Sequence, residues 1–324
     1  MKTIWLASYP RSGNTWFRIL IANLFAADGQ AVNINKLRDP RSIASAREPF
    51  EYLSLIDSGV LTHDEIDCLR PRIYEALARG AERDQDDDNN SDASRSVHFV
   101  KLHDAYTLTP EGEPLLAGAR GADGAIFIVR DPRDIAPSLA KHRGTTVDDA
   151  IAFMNDPQAA FGWQTGEQRA QLRQKLPTWS GHVSSWLNQR DVPIHLVRYE
   201  DLAADTAGRL KSALAFAGLA ATDEAIARAV RFADFARLRQ QEQAQGFRET
   251  EHPWRPQTFF RRGEVGGWRD ELTAVQVARI ENDHEAMMRR LDYKLTTPRS
   301  ALQDPREERV NDRASRQLGL RQGR

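Results

Sequence analysis

Short runs of apolar residues alternate with stretches of helical periodicity over most of the chain. Runs that are typical of buried parallel strands occur at four places: residues 3–7, 97–102, 125–129 and 194–199. Residues 16–25 carry apolar side chains at spacings of three and four, which predicts an amphipathic helix directly after the first strand. Strands and helices in this order predict an α/β fold with a central, mainly parallel sheet flanked by helices.

The first predicted strand and the first predicted helix are joined by a turn of small residues, Tyr-Pro-Arg-Ser-Gly-Asn-Thr-Trp at 9–16. The first backbone N–H groups of a helix have no partner within the helix, and the helix dipole favours an anion there. We expect a phosphate or sulfate group to bind the N–H groups of Ser12, Gly13, Asn14 and Thr15 together with the guanidinium of Arg11. A tight turn that binds nothing is the alternative.

The turn is not a nucleoside-triphosphate P-loop. That motif begins with glycine and ends in glycine, lysine and a hydroxyl residue. Here Ser8 stands at the first glycine position and Asn14 at the lysine position. The cation is Arg11, inside the turn, so a nucleotide kinase is the weaker interpretation.

A second strand followed by a helix carries a similar set of polar groups. Arg130 follows the strand at 125–129, Pro132 fits the first turn of a helix, and Ser138 lies about two turns further on. Open parallel sheets bind ligands at the carboxyl ends of their strands. A guanidinium and a hydroxyl at this edge can hold one phosphate between them. The alternative is that the charged residues here form surface ion pairs: Arg130, Asp131, Arg133 and Asp134.

These two segments and a third, Phe-Arg-Arg-Gly-Glu-Val-Gly-Gly-Trp at 260–268, resemble the three cofactor motifs of sulfotransferases. These enzymes use 3′-phosphoadenosine 5′-phosphosulfate, PAPS. The motifs occur in the family's order and enclose about residues 3–270. The resemblance implies a P-loop-like three-layer sandwich, and it implies transfer of a sulfuryl group from PAPS to a hydroxyl or amine, with release of adenosine 3′,5′-bisphosphate.

The resemblance also assigns roles. The first turn would hold the 5′-phosphosulfate, with Arg11 where the family usually has lysine. The residues implied to bind the rest of the nucleotide are Arg130, Ser138, Arg261, Arg262 and Gly263 around the 3′-phosphate, Trp16 and Phe235 against the adenine, and Tyr199 near the nucleotide.

His103 is the implied catalytic base, and Lys101 two residues earlier matches the family's Lys-x-His spacing. Both fall on one face at the carboxyl end of the strand at 97–102. A neutral imidazole can accept the proton of the acceptor hydroxyl, while a lysine ammonium stabilises the charge that develops during transfer. Asp104 is a further candidate for orienting the ring, although adjacent strand positions point in opposite directions.

The acceptor is not determined by the sequence. A small molecule, a glycan or a lipid-linked acceptor all fit the family. Trp179, His182 and Trp186 share a helix face, which indicates either a core stripe or an aromatic wall for the acceptor. A non-catalytic nucleotide-binding or scaffold protein is the alternative from outside the enzymes.

Composition limits the partners, the metals and the cellular location that we expect for the protein. The 324 residues carry a formal net charge of −1, which argues against nucleic acid as a partner. Cys68 has no second cysteine to pair with, no cluster has metal-ligand spacing, and no run is long enough to span a membrane. We therefore expect a cytoplasmic enzyme that uses no metal.

The expected organisation is one sulfotransferase domain over residues 1–295, with a polar, flexible insertion at about 84–96 and a disordered tail over 296–324. The stretch after Trp268 lacks the lysine, Thr-Val pair and glutamate that mark dimers of cytosolic sulfotransferases. The oligomeric state therefore stays open.

Overall fold

The structure is a computed structural model that describes residues 1–26, 29–37, 42–83, 96–162, 171–247, 249, 258–261 and 263–297, with the backbone alone for 81–83. The predicted insertion, except Ser96, and the predicted tail from residue 298 onward lie outside the described residues. Within the described part, Thr296 and Thr297 still donate backbone N–H groups to the Glu281 carboxylate, at 2.9 and 2.7 Å. The division into domain, insertion and tail stays a prediction.

A four-stranded parallel sheet lies at the centre, in the order β2-β1-β3-β6. The strands of the described residues are β1 (Lys2–Ser8), β2 (Val97–Leu102), β3 (Gly124–Val129), the short antiparallel pair β4 (Ala160–Phe161) and β5 (Gln174–Lys175), and β6 (Ile194–Arg198). Ala7 of β1 lies between Leu102 of β2 and Phe127 of β3, so these strands end at nearly the same level. Their carboxyl ends therefore form one edge.

Helices follow the strands and cover both faces of the sheet. Those of the described residues are α1 (Asn14–Leu24), α2 (Arg47–Ser54), α3 (His63–Arg83), α4 (Pro132–Arg143), α5 (Val147–Met154), α6 (Trp179–Asn188), α7 (Tyr199–Ala204), α8 (Thr206–Ala217), α9 (Asp223–Phe232), α10 (Phe235–Gln245) and α11 (Ala274–Arg290). Within the described chain, none of these helices combines the length and the hydropathy that crossing a membrane requires.

Alternate residues of the central strands contribute to two separate hydrophobic cores, because successive side chains of a strand point to opposite faces. Trp5 and Phe127 belong to one core, with side chains from α4, α6 and α11. Leu6 and Ile126 belong to the other, with side chains from α1, α8 and α9. The three-layer α/β sandwich predicted from the sequence is confirmed.

The aromatic stripe on α6 is part of the core. Trp179, His182 and Trp186 are each fully buried, and Trp186 stacks on Phe127 of the sheet with ring centroids 5.6 Å apart. The core interpretation of these three residues is confirmed, and the aromatic acceptor wall is wrong. The reason is that α6 turns this face toward the sheet.

Candidate functional site

A cleft with a volume of about 180 Å³ lies at the carboxyl ends of β1, β2 and β3. Most of the residues predicted from the sequence line it: Arg11, Gly13, Asn14, Thr15, Trp16, Lys101, His103, Arg130, Ser138, Tyr199, Phe235, Arg261 and Gly263. Ser12 is buried beneath the turn. Arg262 lies outside the described residues. One edge of the sheet thus brings together residues that lie up to more than 250 positions apart in the sequence.

The turn after β1 has an unusual backbone. Arg11 and Gly13 both have left-handed φ values, 68° and 101°. A Cβ at Gly13 would lie 2.6 Å from Cδ2 of Tyr199, so both the conformation and the space require glycine there. At Arg11 a left-handed backbone costs roughly 1–2 kcal/mol, and such strain concentrates at binding and catalytic sites.

The backbone N–H groups at the start of α1 are mostly available to a ligand. The first helical hydrogen bond runs from Phe17 to the Gly13 carbonyl oxygen, at 3.0 Å. In the described part of the chain, the N–H groups of Gly13, Asn14 and Thr15 have no acceptor. The expectation for Ser12 is wrong, because its N–H donates to the Tyr9 carbonyl oxygen at 3.3 Å as the turn closes on itself.

Two arginines meet beside this turn. Arg11 donates from Nε to the hydroxyl oxygen of Ser138, at 2.9 Å, and its guanidinium lies 4.3 Å above the ring of Phe259. Arg130 donates to the carbonyl oxygens of Arg11 and Glu264, at 3.2 and 2.9 Å. Its guanidinium also lies 4.2 Å above the ring of Tyr199. Both positive groups are therefore held in place around the mouth of the turn.

Arg130 has a donor to spare. Its Nε is buried without a hydrogen-bond partner in the described structure. Buried polar groups are nearly always hydrogen-bonded in native proteins. A bound anion would supply the missing acceptor.

The charged residues after Arg130 are structural, and the alternative of surface ion pairs is wrong for them. Asp131, Arg133 and Asp134 are 6%, 3% and 5% exposed. Arg133 pairs with Asp131 at 2.7 Å and with Glu281 of α11 at 2.5 Å. These buried pairs fix the start of α4, and with it the position of Arg130.

Asp134 anchors the loop that carries the third sequence motif. Its two carboxylate oxygens accept the N–H groups of Gly266 and Trp268, at 2.7 and 2.9 Å. In the same loop, the Gly263 carbonyl oxygen accepts the hydroxyl of Tyr199 at 2.9 Å. Arg261 pairs with Glu271 at 2.5 Å. The second and third motifs are thus tied together by hydrogen bonds.

Aromatic side chains line the same end of the cleft. The indole N–H of Trp16 donates to the Ala233 carbonyl oxygen at 2.9 Å, and its ring meets Tyr199 edge-on with centroids 5.7 Å apart. Phe235 is the first residue of α10, and a Cβ at Gly263 would lie 2.5 Å from its Cδ2. Trp16 and Phe235 therefore both line the cleft, Trp16 against Tyr199 and Phe235 against Gly263.

His103 follows β2 and is oriented by β1. Its Nδ1 lies 2.8 Å from the carbonyl oxygen of Ser8, the last residue of β1. A carbonyl oxygen accepts only, so Nδ1 carries the proton and Nε2 carries a lone pair. Burial, assisted by the charge of Lys101, lowers the pKa of His103 well below its usual 6.5. The imidazole is therefore neutral at physiological pH.

Asp104 does not orient the histidine. Its carboxylate accepts hydrogen bonds from Arg70 at 2.7 Å and from the Lys175 N–H at 3.0 Å, both on the far side of the strand. The proposal for Asp104 is wrong because neighbouring residues of an extended chain point apart. Ser8 orients the ring instead.

Lys101 lies in an ion pair that the sequence did not predict. Its Nζ is 3.6 Å from the carboxylate of Glu249, which also accepts from Arg18 at 2.8 Å. Burial alone would raise the pKa of Glu249, but the charges of Lys101 and Arg18 lower it to about 2. Burial lowers the pKa of Lys101 from 10.5. The ionised carboxylate keeps a positive charge next to His103.

The wall beyond His103 also went unpredicted. Gln171, Gln174, His142 and Phe161 line this part of the cleft. These residues belong to no motif, and no spacing pattern distinguishes them in the sequence. Among the described residues, no group of three or more His, Cys, Asp or Glu could hold a metal ion.

Comparisons with known proteins agree with this geometry. The family model "Sulfotransferase domain" matches residues 1–292. Cytosolic sulfotransferases 17 and 16 of Arabidopsis thaliana are each 23% identical to the chain, covering 85% of it and 71% and 73% of their own lengths.

Solved structures share the fold. Mouse sulfotransferase SULT7A1 complexed with PAP gives a TM-score of 0.53 at 19% identity, over 90% of this chain and 86% of that one. Retinol dehydratase in complex with androsterone and inactive cofactor PAP gives a TM-score of 0.52 at 20% identity, over 91% of this chain and 82% of that one. Since the family model covers nearly all of the described residues, the chain belongs to the sulfotransferase domain family and is a sulfotransferase, as the sequence predicted.

Proposed function

We propose that PAPS, the sulfuryl donor of this family, binds in the cleft and that the sulfuryl group passes to a hydroxyl or amine of an acceptor. One observation supports this assignment above the others. The hydrogen bond between His103 and the Ser8 carbonyl oxygen, 2.8 Å long, joins the basic imidazole to the residue from which the anion-binding turn begins. A base and an anion site therefore lie at adjacent strand ends.

The residues of the cleft fit the donor. The N–H groups of Gly13, Asn14 and Thr15, with Arg11, would bind the 5′-phosphosulfate at the positive end of α1. Trp16 and Phe235 would hold the adenine between them.

The 3′-phosphate has its own set of candidate groups. Arg130 would bind it through the buried Nε that lacks a partner, with Ser138 contributing a hydroxyl. Ser138 accepts from Arg11 and so keeps its own O–H to donate. Gly263 and Arg261 would complete the site from the loop, and Arg262 is proposed from the sequence alone.

The chemistry assigned to the chain is proton transfer and charge stabilisation. Nε2 of His103 takes the proton of the acceptor hydroxyl as its oxygen forms a bond to sulfur and the bond from sulfur to the phosphate oxygen breaks. Lys101 and Arg11 stabilise the negative charge on the transferring group and on the leaving phosphate. Arg11 stays protonated, which suffices because the phosphate leaves without a proton at neutral pH.

Family membership leaves the kinase and scaffold interpretations without support. The acceptor itself is open among small molecules, glycans and lipid-linked glycans. The solved structures with androsterone and with retinol are both of retinol dehydratase, and they show what that protein binds. We propose a cytoplasmic location, as for the cytosolic relatives.

Calorimetric titration of the purified protein with adenosine 3′,5′-bisphosphate, AMP and ATP tests the donor assignment. We expect a strong preference for the bisphosphate, and Arg130→Ala should weaken the bisphosphate by about 10–100-fold while changing AMP affinity little. Arg279→Ala, a half-exposed arginine on α11, is the matched control. Equal binding of all three nucleotides, or equal losses for bisphosphate and AMP, contradicts the assignment.

A further inference from the structure

Two glutamine side chains form a pair in the wall beyond His103. Gln174 donates from Nε2 to Oε1 of Gln171, at 2.9 Å, and Ser45 approaches the same oxygen at 3.5 Å. Both glutamines line the cleft, and Gln174 is only 3% exposed. The pair is thus built into the wall and not spread over the surface.

Two of the four polar side-chain atoms of this pair have no partner in the described structure. Within the described residues, neither Oε1 of Gln174 nor Nε2 of Gln171 has a partner. Exchanging the oxygen and nitrogen positions of both side-chain amides does not change this result. One carboxamide oxygen and one carboxamide N–H₂ stay unpaired in either orientation. Neither of these two atoms is fully buried, so both are open to the cleft, where a ligand can pair with them.

Backbone hydrogen bonds place this pair beside the proposed base. Lys175, next to Gln174, donates its N–H to the Asp104 carboxylate at 3.0 Å and accepts from the Ala105 N–H at 2.8 Å. Asp104 directly follows His103 in the chain. Both glutamines line the same cleft as His103, so the pair lies in the wall that an acceptor would face when its hydroxyl meets Nε2 of His103.

The other glutamine is joined to the lysine. Leu172, next to Gln171, donates its N–H to the Ser45 carbonyl oxygen at 2.7 Å. Ala44 in turn donates to the Lys101 carbonyl oxygen at 2.9 Å. The pair is therefore connected through the backbone to Lys101 and to the two residues that follow His103.

We propose that Gln171 and Gln174 recognise an acceptor that carries uncharged hydroxyl groups next to the reacting one, as a sugar does. This inference rests on the proposed function. A hydroxyl both donates and accepts, so one or two of them satisfy the free oxygen and the free N–H₂ together. A steroid or a simple phenol offers no such groups and would leave both amides unpaired.

Saturation-transfer NMR on the protein saturated with adenosine 3′,5′-bisphosphate tests this without depending on turnover. The probes are the methyl glycosides of glucose, galactose and N-acetylglucosamine, compared with cyclohexylmethanol, which keeps a ring and a primary hydroxyl but lacks the neighbouring ones. We expect at least one glycoside to bind about tenfold more tightly than cyclohexylmethanol. Gln174→Leu and Gln171→Leu should each remove that preference, while Gln158→Leu, an exposed glutamine, should keep it.

Unchanged bisphosphate affinity in the glutamine variants shows that they are folded and that the donor site is intact. Tighter binding of octyl glucoside than of methyl glucoside would indicate that the acceptor is a lipid-linked sugar. Equal binding of the two would indicate a free sugar, and both results support the proposal. It is overturned if no glycoside binds better than cyclohexylmethanol, or if both glutamine variants keep the preference. Failure of bisphosphate binding in the wild type would instead contradict the proposed function.

Discussion

The two ends of the cleft are built in different ways. At the nucleotide end, residues 8–16 and 129–138 each contain a strand end, a turn and a helix start in one short stretch of sequence. At the acceptor end, the wall at 171–175 is held by residues from α3 and from the segment after β2. One end is local in sequence, and the other is assembled from distant parts of the chain.

A buried ion network supports the acceptor end. Arg70 of α3 pairs with Asp104 at 2.7 Å and with Asp67 at 3.3 Å, and all three side chains are fully buried. Arg70 also donates to the Arg173 carbonyl oxygen at 3.0 Å. Arg173 in turn pairs with Asp67. The strand that carries Gln174 is thus attached to α3 by charged groups without access to water.

This difference between the two ends of the cleft explains how one fold can bind many different acceptors. The nucleotide end depends on backbone conformation, such as the left-handed φ of Gly13, which few substitutions tolerate. The acceptor end depends on side chains that other segments could replace. Variants that affect one end and spare the other test this separation.

The largest effect is expected for His103→Ala. Loss of the proposed base should reduce transfer by about 10²–10⁴-fold, because no other group would take the hydroxyl proton. Bisphosphate affinity should stay within about twofold of wild type, since no nucleotide contact is assigned to His103. Turnover with labelled PAPS and calorimetry measure the two quantities, and His98→Ala on the same strand is the control. A parallel loss of nucleotide affinity would mean that the two ends are not separable.

The next effect concerns stability. Arg70→Leu leaves the Asp104 carboxylate buried without its charged partner, and Asp67 keeps its pair with Arg173. Removing one partner of a buried ion pair typically costs about 3–5 kcal/mol in free energy of unfolding. Arg79→Leu on the same helix breaks an exposed pair with Glu75 and should cost less than about 1 kcal/mol. Urea denaturation of the two variants measures the difference.

Arg70→Leu also tests the comparison directly. Under conditions where the variant is still folded, it should bind bisphosphate nearly as wild type does, because the network lies behind the acceptor wall. A bisphosphate affinity that falls with the stability would show that the nucleotide end depends on the same network.

Sequence reasoning was most successful where structure is local. The sequence places Arg11, Gly13 and Arg130 correctly in the cleft, because each lies in the turn after a strand that an apolar run predicts. The prediction for Ser12 is wrong in one detail. Its backbone N–H donates to a carbonyl oxygen across the turn and is therefore not available to an anion. Such a closure depends on the φ angles of the turn, which residue types alone do not specify.

Contacts between distant residues were missed. Arg70 and Asp104 are 34 positions apart, and Arg133 and Glu281 are 148 apart. In the sequence each of these charges resembles an ordinary surface residue. Only packing shows that they are buried and paired. The same holds for Gln171 and Gln174, because their role depends on which strands lie beside them.

The smallest expected effect is the response of the wild-type enzyme to mild acid. Burial and the charge of Lys101 lower the pKa of His103 well below 6.5, and His182 and His142 act in the same direction. The neutral, active form therefore persists as the pH falls from about 8 to 6.5, and kcat should stay nearly constant until the lowered pKa is reached.

Lys101→Met sharpens this prediction. Removing the neighbouring positive charge should raise the pKa of His103, so the acid limb of the kcat profile moves to higher pH even if the maximum rate also falls. The profiles of the two proteins, measured at saturating PAPS, give the two midpoints. Two results would contradict the prediction: an acid-limb midpoint at or above pH 6.5 in the wild type, or a midpoint at lower pH in the variant. Either result would mean that burial and the charge of Lys101 do not control the pKa of His103. The pH dependence would then have to come from the acceptor end or from the substrate itself.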